Sequence, residues 1–327
     1  MIPKIAAALE NSPKQSVIWL SFQECTGCTE SITRAHAPTL EGLIFDLISL
    51  DYHHTLQAAA GDSAEGAREI AMSNHQGDYL LIVDGSIPTA NHGYSTIAGI
   101  SNEEMLHDVA EGAKAIIALG TCAAYGGIAK AAPNPTGAMS VEELIPNKPI
   151  INVPGCPPIP IVITGIIAHL VTFGTLPELD SLKRPLLFFG QNIHDRCYRR
   201  AFYERGQFAE TFDDEGAKKG WCLYKLGCKG PVTYNACATM KWNSGVSFPI
   251  ESGHGCLGCS EPNFWDSGSF YKALSIPTTA VSTAAGYALA AGAAVGVATG
   301  ILNRQKKTTA IQQHEVVTIN DLERKKS

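Results

Sequence analysis

Charge is in short supply in this chain: Asp, Glu, Lys and Arg make up 17% of its 327 residues, against 45% hydrophobic. That balance excludes an extended, self-repelling polymer and leaves enough apolar material for two domains with cores. Positive charge is scarcer than negative, 25 residues against 31, for a net of −6. With no long basic run before the C-terminus, a nucleic-acid partner is disfavoured. A cleavable leader is not legible, because the apolar stretch 5–9 is too short and no twin arginine lies near the start. The chain therefore reads either as cytoplasmic or as beginning after a processed leader. A Walker loop, a dinucleotide fingerprint, internal repeats and a Ser/His/Asp or Cys/His nucleophile arrangement are also missing. Their absence sets aside nucleotide and nicotinamide chemistry, solenoid folds and covalent hydrolysis.

Cysteine, by contrast, is plentiful. Ten cysteines admit five disulfides, the plain reading for an exported scaffold. These ten, however, are spread through a chain able to build its own core, and several sit in tight pairs beside glycine, as cluster ligands do. Five apolar runs, at 16–22, 45–50, 79–83, 115–119 and 150–153, recur through the first half, separated by helical segments such as 63–72 and 103–113. Near-continuous apolar strands alternating with helices imply a parallel, doubly wound α/β domain. Ligands of such folds bind beyond the carboxyl ends of the strands. Cys25 and Cys28 follow the first run, Cys122 the fourth and Cys156 the fifth, so four cysteines remote in sequence are expected to converge at one sheet edge.

A boundary is expected within 174–185, giving domains 1–175 and 176–272. The second is rich in Cys, Gly and aromatics with weak periodicity, as if organised by cofactors more than by regular structure. Residues 273–303 carry no charge and are long enough for a transmembrane helix, which takes roughly 20 apolar residues. Gly292, Gly296 and Gly300 give the small-xxx-small spacing of close helix contacts. Arg304, Lys306 and Lys307 on one flank against Lys272 on the other put the tail, 304–327, in the cytoplasm and the folded domains across the membrane. A buried Ala/Gly helix is the competing reading.

Cys25 and Cys28 are two residues apart and can bind one metal centre with Cys122 and Cys156, while neighbouring glycines let backbone wrap inorganic sulfide. Zinc takes the same thiolates, but structural zinc sites are usually paired knuckles, not ligands dispersed over strand ends. Cys156 sits in a rigid turn between Gly155 and Pro157-Pro158. His194, three residues before Cys197, forms a second group with Cys222 and Cys228. A neutral imidazole in place of one thiolate reduces the negative charge around a cluster and favours its reduction. Cys237, Cys256 and Cys259 remain, a number that suits a three-iron cluster lacking one corner. Spacing alone leaves open how the last six cysteines divide.

Several longer runs carry a resemblance. They are Gln23-Glu24-Cys25-Thr26-Gly27-Cys28-Thr29-Glu30-Ser31, Gly120-Thr121-Cys122, Pro154-Gly155-Cys156-Pro157-Pro158 and His194 with Cys197. To these add Gly220-Trp221-Cys222-Leu223-Tyr224 through Gly227-Cys228-Lys229-Gly230-Pro231, and Gly253-His254-Gly255-Cys256-Leu257-Gly258-Cys259. Together they resemble the small subunit of nickel–iron hydrogenases, over residues 17–271 and with all ten cysteines in register.

The resemblance implies a flavodoxin-like domain, a small irregular cluster-binding domain and a C-terminal membrane anchor. It implies a proximal 4Fe-4S cluster on Cys25, Cys28, Cys122 and Cys156, and a distal 4Fe-4S cluster on His194, Cys197, Cys222 and Cys228. A medial 3Fe-4S cluster would take Cys237, Cys256 and Cys259, with Pro249 near the place of a fourth cysteine. It implies a large partner subunit holding the nickel–iron centre, and onward transfer of electrons to a membrane cytochrome b and quinone. Oxygen-tolerant relatives carry cysteines at the positions of Gly27 and Gly127; both are glycine here, so an ordinary proximal cluster and oxygen sensitivity are expected. The apolar C-terminal segment fits the membrane-bound uptake branch, on the periplasmic side of the inner membrane, normally exported by a twin-arginine leader.

Other residues have two readings each. Glu24 either relays protons or tunes the first centre, or simply bonds loop amides. Asp84-Gly85-Ser86 either lines the same crevice or is a plain turn. Arg196, Arg199 and Arg200 either dock an acceptor or form a solvated face, the latter favoured for Arg199 and Arg200; His53 and His54 are expected at the surface. The competing identities are the cluster-bearing subunit of a respiratory dehydrogenase, which needs only the first site, and a disulfide-stapled anchor protein.

Overall fold

The computed structural model describes residues 14–268 and 270–274. Its centre is a five-stranded parallel sheet of β1 (Gln15–Ser21), β2 (Ile48–His53), β3 (Leu80–Asp84), β4 (Ala115–Leu119) and β5 (Ile150–Val153). The spatial order is β2-β1-β3-β4-β5, that of flavodoxin-like doubly wound sheets. Around it lie α1 (Gly27–Ile32), α2 (Asp62–Asn74), α3 (Asn102–Glu111), α4 (Gly120–Tyr125) and α5 (Pro160–Phe173).

Every residue of β3, β4 and β5 is buried, which is why those runs show no polar alternation: both faces are covered. Successive residues feed opposite layers. Val17, Trp19, Ile82, Ile117 and Ile151 pack with Val162, Ile163, Ile166 and Ile167 of α5. Ile18, Leu20, Leu81, Val83 and Ile116 pack instead with Ala64 and Ala71 of α2 and with Leu106 and Val109 of α3. Each Val, Leu or Ile among these, fully buried, contributes roughly 1.5–3 kcal/mol. The largest departure from the expected strands is β2, which starts at Ile48: Leu43–Leu47 winds as a π-helical turn and leaves Phe45 69% exposed.

The register fixes the site. Ser21 pairs with Asp84, Asp84 with Leu119 and Leu119 with Val153, forming one row at the carboxyl edge, and the chain leaving that row carries the first four cysteines. Beyond Leu186 the described residues form no strand. Short helices and turns are joined there by isolated bridges such as Asn192↔Tyr234 and Phe208↔Cys222. The buried apolar cluster on the α5 face continues through Leu179, Phe188, Phe189 and Ile193 to Leu223, Phe248 and Ile250. No helix among the described residues is long and apolar enough to cross a membrane. The expected anchor, 273–303, lies outside the described residues apart from its first two, and the tail 304–327 lies outside them entirely.

Candidate metal centres

Cys28 sits in the first turn of α1 and Cys122 in the first turn of α4, and both helices open at the carboxyl row. The backbone there is bare. A Cβ on Gly120 would stand 2.5 Å from the Cys28 sulfur, one on Gly127 2.6 Å from that of Cys122, and one on Gly27 3.1 Å from that of Cys25. Gly120 and Gly127 also have φ of +81° and +59°, which side chains rarely adopt. All ten thiols are free, so the stapled-anchor reading finds no disulfide to stand on.

Burial drives Cys28 well above the ordinary thiol range, and the charges of Asp84, Cys122, Glu24 and Cys156 add to it. Burial likewise pushes Cys122 up to about 11 and Cys156 up to about 12, with Cys25 contributing to both. Cys28 and Cys122, both partly buried, repel one another when charged, and such thiols ionise together only around a cation-bearing group. Among the described residues, no three His, Cys, Asp or Glu close tightly enough to grip a lone ion. A cluster, whose irons and sulfides fill the space between thiolates, asks for the bare backbone that Gly27, Gly120 and Gly127 provide. Glu24 takes the plainer of its two readings: its carboxylate accepts from the Thr26 amide, and burial raises it.

His194, Cys197, Cys222 and Cys228 line one cavity with Leu223, Pro231 and Ile250. Burial, and Arg200 nearby, lower the His194 pKa, favouring the neutral ring that can ligate. Its ring is held edge-on by Tyr203 at 4.6 Å. Amides of Arg199 and Gly230 donate to the sulfurs of Cys197 and Cys228 at 3.4 and 3.5 Å. Cys237 lies beside Cys256 and Cys259: burial raises Cys237 far above the usual range, and the charges of Cys259 and Cys256 add to it. Cys156 lies near enough to Cys259 to feel its charge, and the Cys256 amide donates to the Cys228 sulfur at 3.3 Å, so the group of Cys237 adjoins both of the others.

Three expectations need correction or sharpening. His53 is not a surface residue; it is 1% exposed, beside Trp19 at 4.8 Å, because β2 runs on to include it. Its Nδ1 accepts from the Thr55 amide, which leaves Nε2 to donate to Thr29 Oγ1, and Thr29 donates to Asp84 Oδ2, each at 3.3 Å. Asp84 is fully buried, and burial pushes its carboxyl up to about 7. Arg199 is not solvated either: it is 7% exposed, donating to Tyr198 Oη at 2.7 Å and to the Trp221 carbonyl at 2.8 Å. Arg200 does lie at the surface, paired with Asp195 and Glu204. Sequence reasoning missed a buried ion triad, in which Arg184 binds Asp180 at 2.8 Å and Glu261 at 3.0 Å; no spacing rule links residues 77 apart.

Comparison with known proteins decides the class. A family model for the C-terminal part of the NiFe/NiFeSe hydrogenase small subunit matches residues 189–272. The chain is 51% identical over 317 residues to the Hydrogenase-1 small chain of Citrobacter freundii, covering 96% of this chain and 84% of that one. It is 50% identical over 301 residues to the uptake hydrogenase small subunit of Azotobacter vinelandii, covering 90% and 84%. The chain belongs to the nickel–iron hydrogenase small-subunit family. A solved Ni-Fe-Se hydrogenase from Desulfomicrobium baculatum superposes with a TM-score of 0.75 at 39% identity, covering 80% of this chain and 100% of that one. A second family model, described as NADH ubiquinone oxidoreductase, 20 Kd subunit, matches residues 25–170. That stretch carries only the first cysteine group, whereas the other two fall in the hydrogenase-specific match. As a hydrogenase small subunit the chain is an iron–sulfur, electron-transferring part of an oxidoreductase and works with a large subunit.

Proposed function

We infer that this chain carries electrons from hydrogen oxidation in the large subunit through three centres to a membrane acceptor. Cys25, Cys28, Cys122 and Cys156 would hold a proximal 4Fe-4S cluster, and Cys237, Cys256 and Cys259 a medial 3Fe-4S cluster. His194, Cys197, Cys222 and Cys228 would hold a distal 4Fe-4S cluster. The observation that carries this reading is the neighbouring of the cysteine groups, Cys156 beside Cys259 and Cys256 beside Cys228, with Cys197, Cys222 and Cys228 sharing one cavity with His194. The clusters supply one-electron storage when bound. The protein's part is to hold thiolates on bare backbone, aim amides at sulfur and keep water away.

Cys25 and Cys156 are exposed in the single chain, which suits docking of the large subunit over the proximal edge. Residues 1–175 would form the flavodoxin-like domain, 176–272 the cluster-binding domain, 273–303 a membrane helix and 304–327 a cytoplasmic tail. The charge asymmetry around 273–303 supports a place on the periplasmic side of the inner membrane, with a cytochrome b and quinone as acceptor. Gly27 and Gly127 leave the first group with four thiols, which supports an ordinary, oxygen-sensitive proximal cluster. Oxygen-inhibition kinetics with a redox titration of the proximal cluster test this. One proximal redox step and rapid loss of turnover in air are expected; two successive steps with sustained turnover would overturn it.

A further inference from the structure

Thr121 is 2% exposed and stands between the first and third cysteine groups. Its hydroxyl accepts a hydrogen bond from the Gly155 amide at 2.9 Å and donates one to the carbonyl of Cys259. Its own amide donates to the Gly155 carbonyl at 2.9 Å. One side chain thus ties the Gly155 amide, one residue before Cys156, to the carbonyl of Cys259. The next junction needs no side chain, because the Cys256 amide donates directly to the Cys228 sulfur at 3.3 Å. Both junctions between neighbouring groups are therefore bridged by hydrogen bonds, the first through a hydroxyl that a substitution can remove.

We propose that the Thr121 hydroxyl is the bridge that sets the spacing and electronic coupling between the first and third cysteine groups, and so the rate at which electrons cross from one to the other. This rests on the three-cluster reading above. In the step concerned, one electron leaves the reduced proximal 4Fe-4S centre and enters the oxidised 3Fe-4S centre; no bond is made or broken, and Thr121 keeps its proton. Thr121 acts as a positioning residue, since it touches the ligand-bearing peptides and not the reacting atoms. Threonine suits the position because a hydroxyl both accepts and donates, while the β-branch holds it in few rotamers.

The test uses the purified heterodimer with Thr121→Val and Thr121→Ser. Iron content, cluster midpoint potentials and freeze-quench spectroscopy of three-iron reduction after mixing with hydrogen are read together. Support is a Thr121→Val complex with native iron and potentials but slower three-iron reduction, with Thr121→Ser near native. Native kinetics in a fully loaded Thr121→Val complex would overturn the proposal. Should Thr121→Val lose iron, Thr121→Ser decides: retention of iron and rate shows that the hydroxyl is the requirement, and loss in both refutes it. A native complex lacking any three-iron signal would instead refute the cluster reading, independently of Thr121.

Discussion

Arg184→Met removes the one cation from a buried triad while keeping most of the side-chain volume. The Arg184 side chain is 4% exposed, Asp180 5% and Glu261 19%. The guanidinium also lies over the rings of Tyr234 and Phe189, at 5.5 and 5.8 Å. Burial raises the Glu261 carboxyl in spite of its partner, so the intact triad is not strongly stabilising against a hydrophobic replacement. Breaking it by one member is different, because two carboxylates are left facing each other away from water. That costs about 3–5 kcal/mol, which at about 1.5 °C per kcal/mol for a chain of 327 residues lowers the melting midpoint by about 4–8 °C. Glu261 also accepts from the Tyr234 amide at 2.6 Å, and Ser260 donates to the Tyr234 carbonyl at 2.9 Å. The disturbance should therefore spread to Cys237 and Cys259, and medial iron should be lost before the rest. The assay is thermal melting of the heterodimer with iron analysis. A variant melting within about 2 °C of native, with full iron, would refute the reasoning.

Gly120→Ala, whose Cβ would sit 2.5 Å from the Cys28 sulfur at φ +81°, should cost the first centre, a loss of about four iron atoms per chain; full iron would contradict the cradle. His194→Cys adds a negative ligand charge and should move the distal midpoint potential downwards in a redox titration; an unmoved potential would exclude His194 as a ligand. His53 is held neutral, lowered from 6.5 to about 4 chiefly by burial. Protons are therefore taken up by the unfolded chain first, and stability falls as pH drops from about 6.5 to 4, by about 2.5 kcal/mol at pH 4.5. Asp84, raised to about 7, works the opposite way over the same window, so the comparison that isolates His53 is native against His53→Gln. Their melting midpoints should converge on acidification, and parallel curves would refute the assignment.

The sheet was legible because parallel strands covered on both faces write themselves as unbroken apolar runs, and four of the five fell within a residue or so of their observed bounds. β2 was misplaced because Leu43–Leu47, apolar enough for a strand, is spent on a π-helical turn. That same shift hid His53, which belongs to a strand that the run at 45–50 ended too early. The first cysteine group followed from a topological rule, cysteines trailing strand ends. The division of the last six did not, since residues 186–274 have no regular periodicity from which to compute neighbours. Thr121 was visible only as the middle letter of a motif, and the Arg184 triad not at all, because contacts between distant loops leave no trace in local spacing.

Iron and nickel analysis of the complex captured anaerobically through a tag on this chain tests the central claim most directly. The account predicts about eleven iron atoms on this chain, from centres of four, three and four, and a larger co-purifying subunit that carries nickel. A chain recovered colourless and free of iron, with its ten cysteines paired as disulfides, would contradict it.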